Sequence, residues 1–371
     1  MKICMITRPP LKEITKKFPT RRHYLLQRMK LMGHEVESFA IHPPRIPNTY
    51  LAYGSGITLS PFRFRHRKPD LLLADDLESG LAAALISTIF KIPFVFDFID
   101  DYSLIANYEG RRLRYHVLKF LERVIPVRAH FVIVVTPQIK KFCLDLGIPD
   151  KKLRVIPNGV DAEQFKPKSD DDATRKRFNV KDNKAVLFLG KINRYYNLEF
   201  VLKAIPYVLK DFPHTKFLFV GDGDYLNHLK ELSHRLKIEE AVIFTGFLPP
   251  EEIPNIINLC DICVFSLPND GALVIFEYMA CAKPSVLPAG GGTKKTGISR
   301  QIIPDDCALK VENSPEGFAQ GIHFLLKNKE FGERMGRLAR EKVVSFHDWG
   351  MLAEEYEKTL TEFLHSSPKT G

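Results

Sequence analysis

The sequence predicts an α/β protein made of two Rossmann-like, doubly wound domains with a ligand cleft between them. Three observations predict it. Short apolar runs of strand length, among them Asp70 to Ala74 (DLLLA), Phe94 to Phe98 (FVFDF) and Phe131 to Val135 (FVIVV), alternate with helical stretches, as parallel strands buried on both faces do. The alternation stops at a polar stretch, Lys166 to Lys184, which carries the acidic run Asp170 to Asp172, and then starts again. At 371 residues, 45% hydrophobic and 26% charged, the chain has the size for two globular cores and no low-complexity tract.

Lys2 to Thr7 reads as the first strand. Arg22 to Met32 places Tyr24, Leu25, Met29 and Met32 on one helical face, and Gly33 ends that helix. Glu35 to Ile41 follows as a strand, and a loop rich in Pro, Tyr and Gly runs to about Ile57. Gly80 to Phe90 and Arg114 to Val124 are helices between the strands named above, and Arg154 to Ile156 closes the first half. In the second half the strands are Ala185 to Leu189, Lys216 to Val220, Val242 to Phe244 and Ser285 to Leu287. Asn197 to Lys210, Leu226 to Leu236 and Pro250 to Leu259 are the helices between them, and Met351 to Leu364 is the last helix.

One stretch in the second half carries chemistry. Cys260 to Leu267 (CDICVFSL) has the composition of a buried strand, Pro268 to Gly271 is a turn cluster, and Leu273, Phe276, Met279 and Ala280 then recur at helical spacing. A strand, loop and helix in that order leave free N–H groups at a helix start beyond a strand's carboxyl end, where anionic ligands collect. Glu277 lies one to two turns into the helix. Beside phosphate a carboxylate is awkward, so a neutral donor such as a sugar hydroxyl is its better partner; a surface glutamate on an ordinary helix is the alternative. Gly190, Gly221 and Gly223 follow strands and serve either a phosphate-binding turn or a tight strand-to-helix turn alone. Asp75, Asp76, Asp100 and Asp101 follow strands too, as site groups or helix caps.

Charge is uneven. Residues 1–160 hold 26 Lys+Arg against 14 Asp+Glu, whereas the remainder is slightly acidic, for a net charge of +10. The basic half suits an anionic partner: a phospholipid surface, a phosphorylated acceptor or nucleic acid, the last least favoured because no nucleic-acid motif accompanies the charge. The six cysteines are scattered, and Cys260-x-x-Cys263 lies inside an apolar run without a second ligand pair, which reads as core thiols in a reducing compartment. No run reaches the roughly 18–20 apolar residues of a spanning helix, and MKICMIT enters a strand without a cleavable signal pattern. A cytoplasmic protein, peripheral at the inner membrane face, is expected.

Several long motifs, in order, resemble the two-domain (GT-B) glycosyltransferases, most closely the retaining group called family four. They are GHEVESF (Gly33 to Phe39), RVIPNGVDAEQFKP (Arg154 to Pro167), FLFVGDGDYLNHLKEL (Phe217 to Leu232), VIFTGFLPPEEIPNII (Val242 to Ile257) and FEYMACAKPSV (Phe276 to Val286). The resemblance implies an acceptor domain over 1–166, a donor domain over 167–345 and a final helix, about 346–364, packing back on the first. It implies a nucleotide-diphosphate sugar in the second domain, with Glu277 accepting from the ribose hydroxyls. Backbone N–H groups of Gly271, Ala272 and Leu273 would hold the diphosphate. Gly190 would let the chain turn close to it, and Lys191 would supply positive charge where the family commonly has Arg. Thr245, Gly246 and Phe247, with the Gly221–Gly223 turn, would flank the base.

This sequence departs from the family pattern at named positions. The acidic residue expected eight positions before Glu277 is Asn269, with Asp270 beside it; the basic residue after Lys191 is Tyr196; and a His of the first domain is Ile99, followed by Asp100 and Asp101 on the acceptor side. The implied reaction is retaining transfer to a lipid-linked or glycan acceptor, with no cofactor beyond the nucleotide-sugar and no metal. The alternatives are a silent nucleotide-sugar-binding subunit, or a same-fold enzyme such as an epimerase.

Overall fold

The computed structural model describes residues 1–8, 20–41, 50–169, 172–267, 272–289 and 300–366. They form two compact units, Met1–Pro157 with Trp349–Gly371, and Asn158–Asp348. Each unit is built on its own six-stranded parallel sheet.

The first unit runs β1 (Lys2–Thr7), α1 (Arg21–Leu31), β2 (Glu35–Ala40), α2 (Tyr50–Thr58), α3 (Ser60–Phe64), β3 (Leu71–Ala74), α4 (Leu77–Phe90), β4 (Phe94–Phe98), α5 (Tyr102–Tyr108), α6 (Arg112–Arg128), β5 (Phe131–Val134), α7 (Pro137–Asp145) and β6 (Leu153–Val155). The strand order is β2-β1-β3-β4-β5-β6. Every residue of β3, β4 and β5 is buried, which is why these strands read as unbroken apolar runs. Right-handed crossovers place the helices from α2 to α7 on one face of this sheet and α1 on the other. Asp76 and Thr136 start α4 and α7 by accepting from the Ser79 and Ile139 amides, at 2.8 and 3.2 Å. Such caps contribute about 1 kcal/mol each.

The second unit runs α8 (Asp172–Arg177), β7 (Ala185–Leu189), α9 (Leu198–Asp211), β8 (Lys216–Val220), α10 (Leu226–Arg235), β9 (Val242–Gly246), α11 (Ile253–Leu259), β10 (Ile262–Val264), α12 (Leu273–Ala280), β11 (Ser285–Pro288), β12 (Leu309–Val311), α13 (Pro315–Lys327) and α14 (Lys329–Phe346). Its order is β12-β11-β10-β7-β8-β9. The last helix, α15 (Trp349–Ser366), packs on α1 of the first unit, where Trp349 stacks on Tyr24 at 5.1 Å and Phe363 meets Phe131.

Three local expectations change. The loop predicted to about Ile57 contains α2, whose packing on α4 offsets the helix penalty of its two glycines. The polar stretch Lys166 to Lys184 contains α8 and is fastened to the second unit. Phe178 and Val180 are buried, the Lys168 amide donates to Asn258 at 3.0 Å, and Arg177 pairs with Glu252 at 2.6 Å. The buried run from Cys260 to Leu267 is laddered only over Ile262–Val264, and β12 is too short and too half-buried to stand out in the sequence.

Candidate functional site

The second sheet reverses direction at β7. The chain goes from β7 to β8 and β9 on one side, then returns to lay β10 on the other. The loops after β7 and β10 therefore leave neighbouring carboxyl ends in divergent directions, the position at which α/β sheets take ligands.

Backbone hydrogen bonds stitch the ends of β7, β8 and β9 together. Gly190 N donates to Val220 O and Gly221 N to Gly246 O, both at 3.0 Å; Ile192 N donates to Asp222 O, also at 3.0 Å. The close approach requires glycine at two positions. A Cβ on Gly221, whose φ is +135°, would lie 1.9 Å from the Gly190 carbonyl oxygen, and one on Gly223 would lie 1.9 Å from that of Ile192. Gly190, Gly221, Gly223 and Gly246 thus share one turn cluster. Lys191, next to Gly190, is exposed and makes no ion pair among the described residues. Thr245 donates its hydroxyl to the Gly246 carbonyl at 2.9 Å, and Phe247 is 46% exposed beside it.

The helix α12 begins at this switch point. Ala272 is its N-cap residue and Leu273 its first helical residue, with no side chain capping the start. Tyr278 fixes the helix: its hydroxyl oxygen accepts from the Leu189 amide at 2.8 Å and reaches the Val264 carbonyl at 3.5 Å, so one buried phenol ties α12 to the ends of β7 and β10. The loops are joined as well, since the Ser266 hydroxyl donates to the Tyr196 carbonyl. The Tyr196 ring packs edge-on against Phe188 and Phe265.

Glu277, the residue before Tyr278 in α12, is half-buried. Burial pushes its carboxyl pKa up to about 7, and no cation or hydrogen-bond donor compensates it among the described residues. A solvent-touched carboxylate whose pKa is raised by burial, with no compensating donor among the described residues, is a candidate ligand-binding group. Asn269, Asp270 and Gly271 lie outside the described residues, as do Gly290 to Gly292.

Two features of this neighbourhood were missed in the sequence. Tyr278 reads there as one more helical aromatic. Glu199, at the start of α9, accepts from the Tyr225 hydroxyl and from Lys203 and His228, and these hydrogen bonds, Tyr225's first, hold its pKa down near 2. Tyr225 follows the Gly221–Gly223 turn, so proximity to that motif is the available signal.

The predicted residues Asp75, Asp76, Asp100 and Asp101 belong to the first unit. Asp101 caps α5, accepting from the Leu104 amide at 3.0 Å and the Ser103 hydroxyl at 3.2 Å, and Asp100 accepts from the Asp101 amide at 2.8 Å. Nearby, Arg22 clamps Asp75 with two N–H groups, and Arg21 pairs with buried Asp97 at 2.9 Å.

Behind α12, the buried His347 ring packs on Phe276 at 4.7 Å, and its Nδ1 lies 3.2 Å from the Asn158 carbonyl. Burial lowers its pKa from 6.5 to about 4. The unfolded chain therefore takes up the proton first as the medium is acidified. Stability is full above about pH 6.5 and falls toward pH 4, by on the order of 2–3 kcal/mol from this residue. His347→Gln is expected to flatten that part of the acid-unfolding curve; an unchanged slope contradicts the assignment.

Two family descriptions match: "Glycosyltransferase Family 4" over residues 17–164 and "Glycosyl transferases group 1" over residues 170–342. The alpha-monoglucosyldiacylglycerol synthase of Streptococcus pneumoniae is 28% identical over 215 residues, 56% of this chain and 48% of that protein. The chain spans about three fifths of the length of the curated relatives it first matches. Among solved structures, the sucrose-phosphate synthase of Thermosynechococcus elongatus superposes with a TM-score of 0.81 at 18% identity, over 99% of this chain and 100% of that one. Anabaena HepE, solved with UDP-glucose, gives 0.74 at 19% identity, over 98% and 100%. With the two descriptions together spanning most of both units, and the fold shared with these neighbours, the chain belongs to the GT-B glycosyltransferases of family 4.

Proposed function

We propose that the protein transfers a hexosyl group from a nucleotide-diphosphate sugar to a lipid-linked or glycan acceptor, with retention at the anomeric carbon. The observation that carries the reading is Glu277: a solvent-touched carboxylate at the switch point of the second sheet, raised to a pKa of about 7 and lacking a donor among the described residues. Ribose hydroxyls supply that donor. The start of α12 at Ala272 and Leu273, without a side-chain cap, offers amides to the diphosphate; Gly271 is assigned to the same role, and Lys191 adds charge to the leaving group. With those groups no metal is required.

In the transfer, the acceptor oxygen forms its bond to the anomeric carbon on the face from which the phosphate oxygen departs. That oxygen takes the acceptor's proton, so no enzyme nucleophile intervenes. Asn269 and Asp270 are assigned to the sugar, Thr245, Gly246 and Phe247 to the base, and Asp100 and Asp101 to the acceptor side. The name of the Streptococcus relative favours a lipid acceptor, and the UDP-glucose complex of the Anabaena neighbour favours a uridine donor. The surplus of Lys and Arg in residues 1–160 suits a peripheral position on an anionic cytoplasmic membrane face.

Incubation with isotopically labelled nucleotide-sugars and membrane-lipid acceptors tests this. Transfer with an α product from an α donor, read from the anomeric proton coupling, is the expected result. Binding without transfer or donor hydrolysis supports the silent-subunit alternative, and an inverted product refutes retention.

A further inference from the structure

We propose that the outer face of α6 is a membrane-seating helix, its apolar ridge set among the headgroups and upper acyl chains of an anionic bilayer. It deepens, and rests on, the reading of a membrane-side acceptor.

The helix has two unlike faces. Leu118, Glu122, Ile125 and Pro126 turn inward and are buried. Outward, Leu113 is 81% exposed, Phe120 64%, Val127 53% and Val117 48%. At 100° per residue these four fall within an arc of roughly 80°, one continuous ridge. Single exposed apolar residues are ordinary, but an aligned row on one helix marks a surface that is covered in use.

Charge identifies the cover. Arg112, Lys119 and Arg123 line one side of the ridge and Arg128 the other. Glu122 is the one acid in α6, and it is turned inside, where it accepts from the Ser103 amide at 2.9 Å. The outer face therefore combines an apolar ridge with cations and no carboxylate of its own. Protein interfaces deplete lysine at their cores, whereas helices lying in a lipid interface carry this combination. The helix is about 25 Å long and too basic to cross a bilayer, so it lies flat.

The neighbouring helices carry exposed apolar residues as well. In the helix layer on that side of the sheet, α4 packs on both α3 and α6. Ile89 of α4 is 52% exposed, and Phe62 of α3 is 66% exposed with the Arg65 guanidinium 4.2 Å over its ring.

The test uses the full chain with Phe120→Trp, since Trp349, the native tryptophan, is buried and gives a constant background. Phosphatidylcholine vesicles containing phosphatidylglycerol are expected to shift the emission to the blue and to quench it when the acyl chains are brominated. Phosphatidylcholine alone should do neither. Leu113→Ser with Phe120→Ser, which leaves every cation in place, is expected to lower vesicle retention about tenfold or more, and about 0.5 M salt to remove what remains. Unshifted tryptophan emission on vesicles that do retain the protein overturns the seating of α6 and leaves only surface charge. Retention of the double serine variant at the parental level, or no retention of the parent, overturns it too. So does a lipid-free dimer that the serine substitutions dissolve, because the ridge then belongs to a second copy. Nucleotide-sugar affinity, measured on the same samples, tests the transferase reading independently.

Discussion

Glu277→Gln is expected to weaken nucleotide-sugar binding by on the order of 1–3 kcal/mol and, at the same time, to raise the stability of the ligand-free protein. Both effects have one cause. Burial lifts the carboxyl from 4.5 to about 7, so the folded state prefers the protonated acid. Between those values the unfolded chain has released its proton and the folded chain has not, so stability falls as pH rises from about 4.5 through 7. The full shift corresponds to about 3 kcal/mol; solvent contact at the half-buried carboxylate reduces the expected cost to about 1–2 kcal/mol at pH 8. Glutamine removes the charge and that cost, along with the strong acceptor that ribose hydroxyls need. Wild-type donor affinity should accordingly rise with pH up to about 7, and the variant's should not. Calorimetric titration and thermal unfolding at pH 5 and pH 8 read both quantities. Equal affinity and equal stability at pH 8 remove Glu277 from the site.

Gly221→Ala is expected to cost about 4 kcal/mol or more. The new carbon meets backbone, the Gly190 carbonyl oxygen at 1.9 Å, and cannot be accommodated by rotating a side chain. The residue's φ of +135° adds strain of its own. Gly246→Ala is the control: φ is +71° there, but nothing lies within 4 Å of the added carbon, so about 1–2 kcal/mol is expected. Urea unfolding compares the two. Equal midpoints would show that the stitched turns of β7, β8 and β9 are looser than the hydrogen bonds between them imply.

Strands such as β3, β4 and β5 were legible because burial on both faces leaves no polar position to confuse the pattern. Glu277 stands out in the sequence as a candidate because a lone acid in an apolar helix after a strand and a turn is conspicuous. The switch point that gives it meaning was not, since it depends on β10 pairing with β7 across some 75 residues of chain. Tyr278 escaped for the same reason: its partners, Leu189 and Val264, belong to other strands. Glu199 is divided from Tyr225 and His228 by the whole of β8, and local periodicity carries no trace of their meeting. The helix α2 was hidden by glycine, a residue whose local preference tertiary packing overrides.

Hydrogen–deuterium exchange with the nucleotide-sugar that gives the largest thermal shift measures where the donor binds. Slowed exchange concentrated in residues 190–197 and 272–281, with residues 1–157 little changed, is the expected pattern. Protection confined to residues 1–157, with 272–281 exchanging as in the free protein, contradicts a donor held by α12 and Glu277.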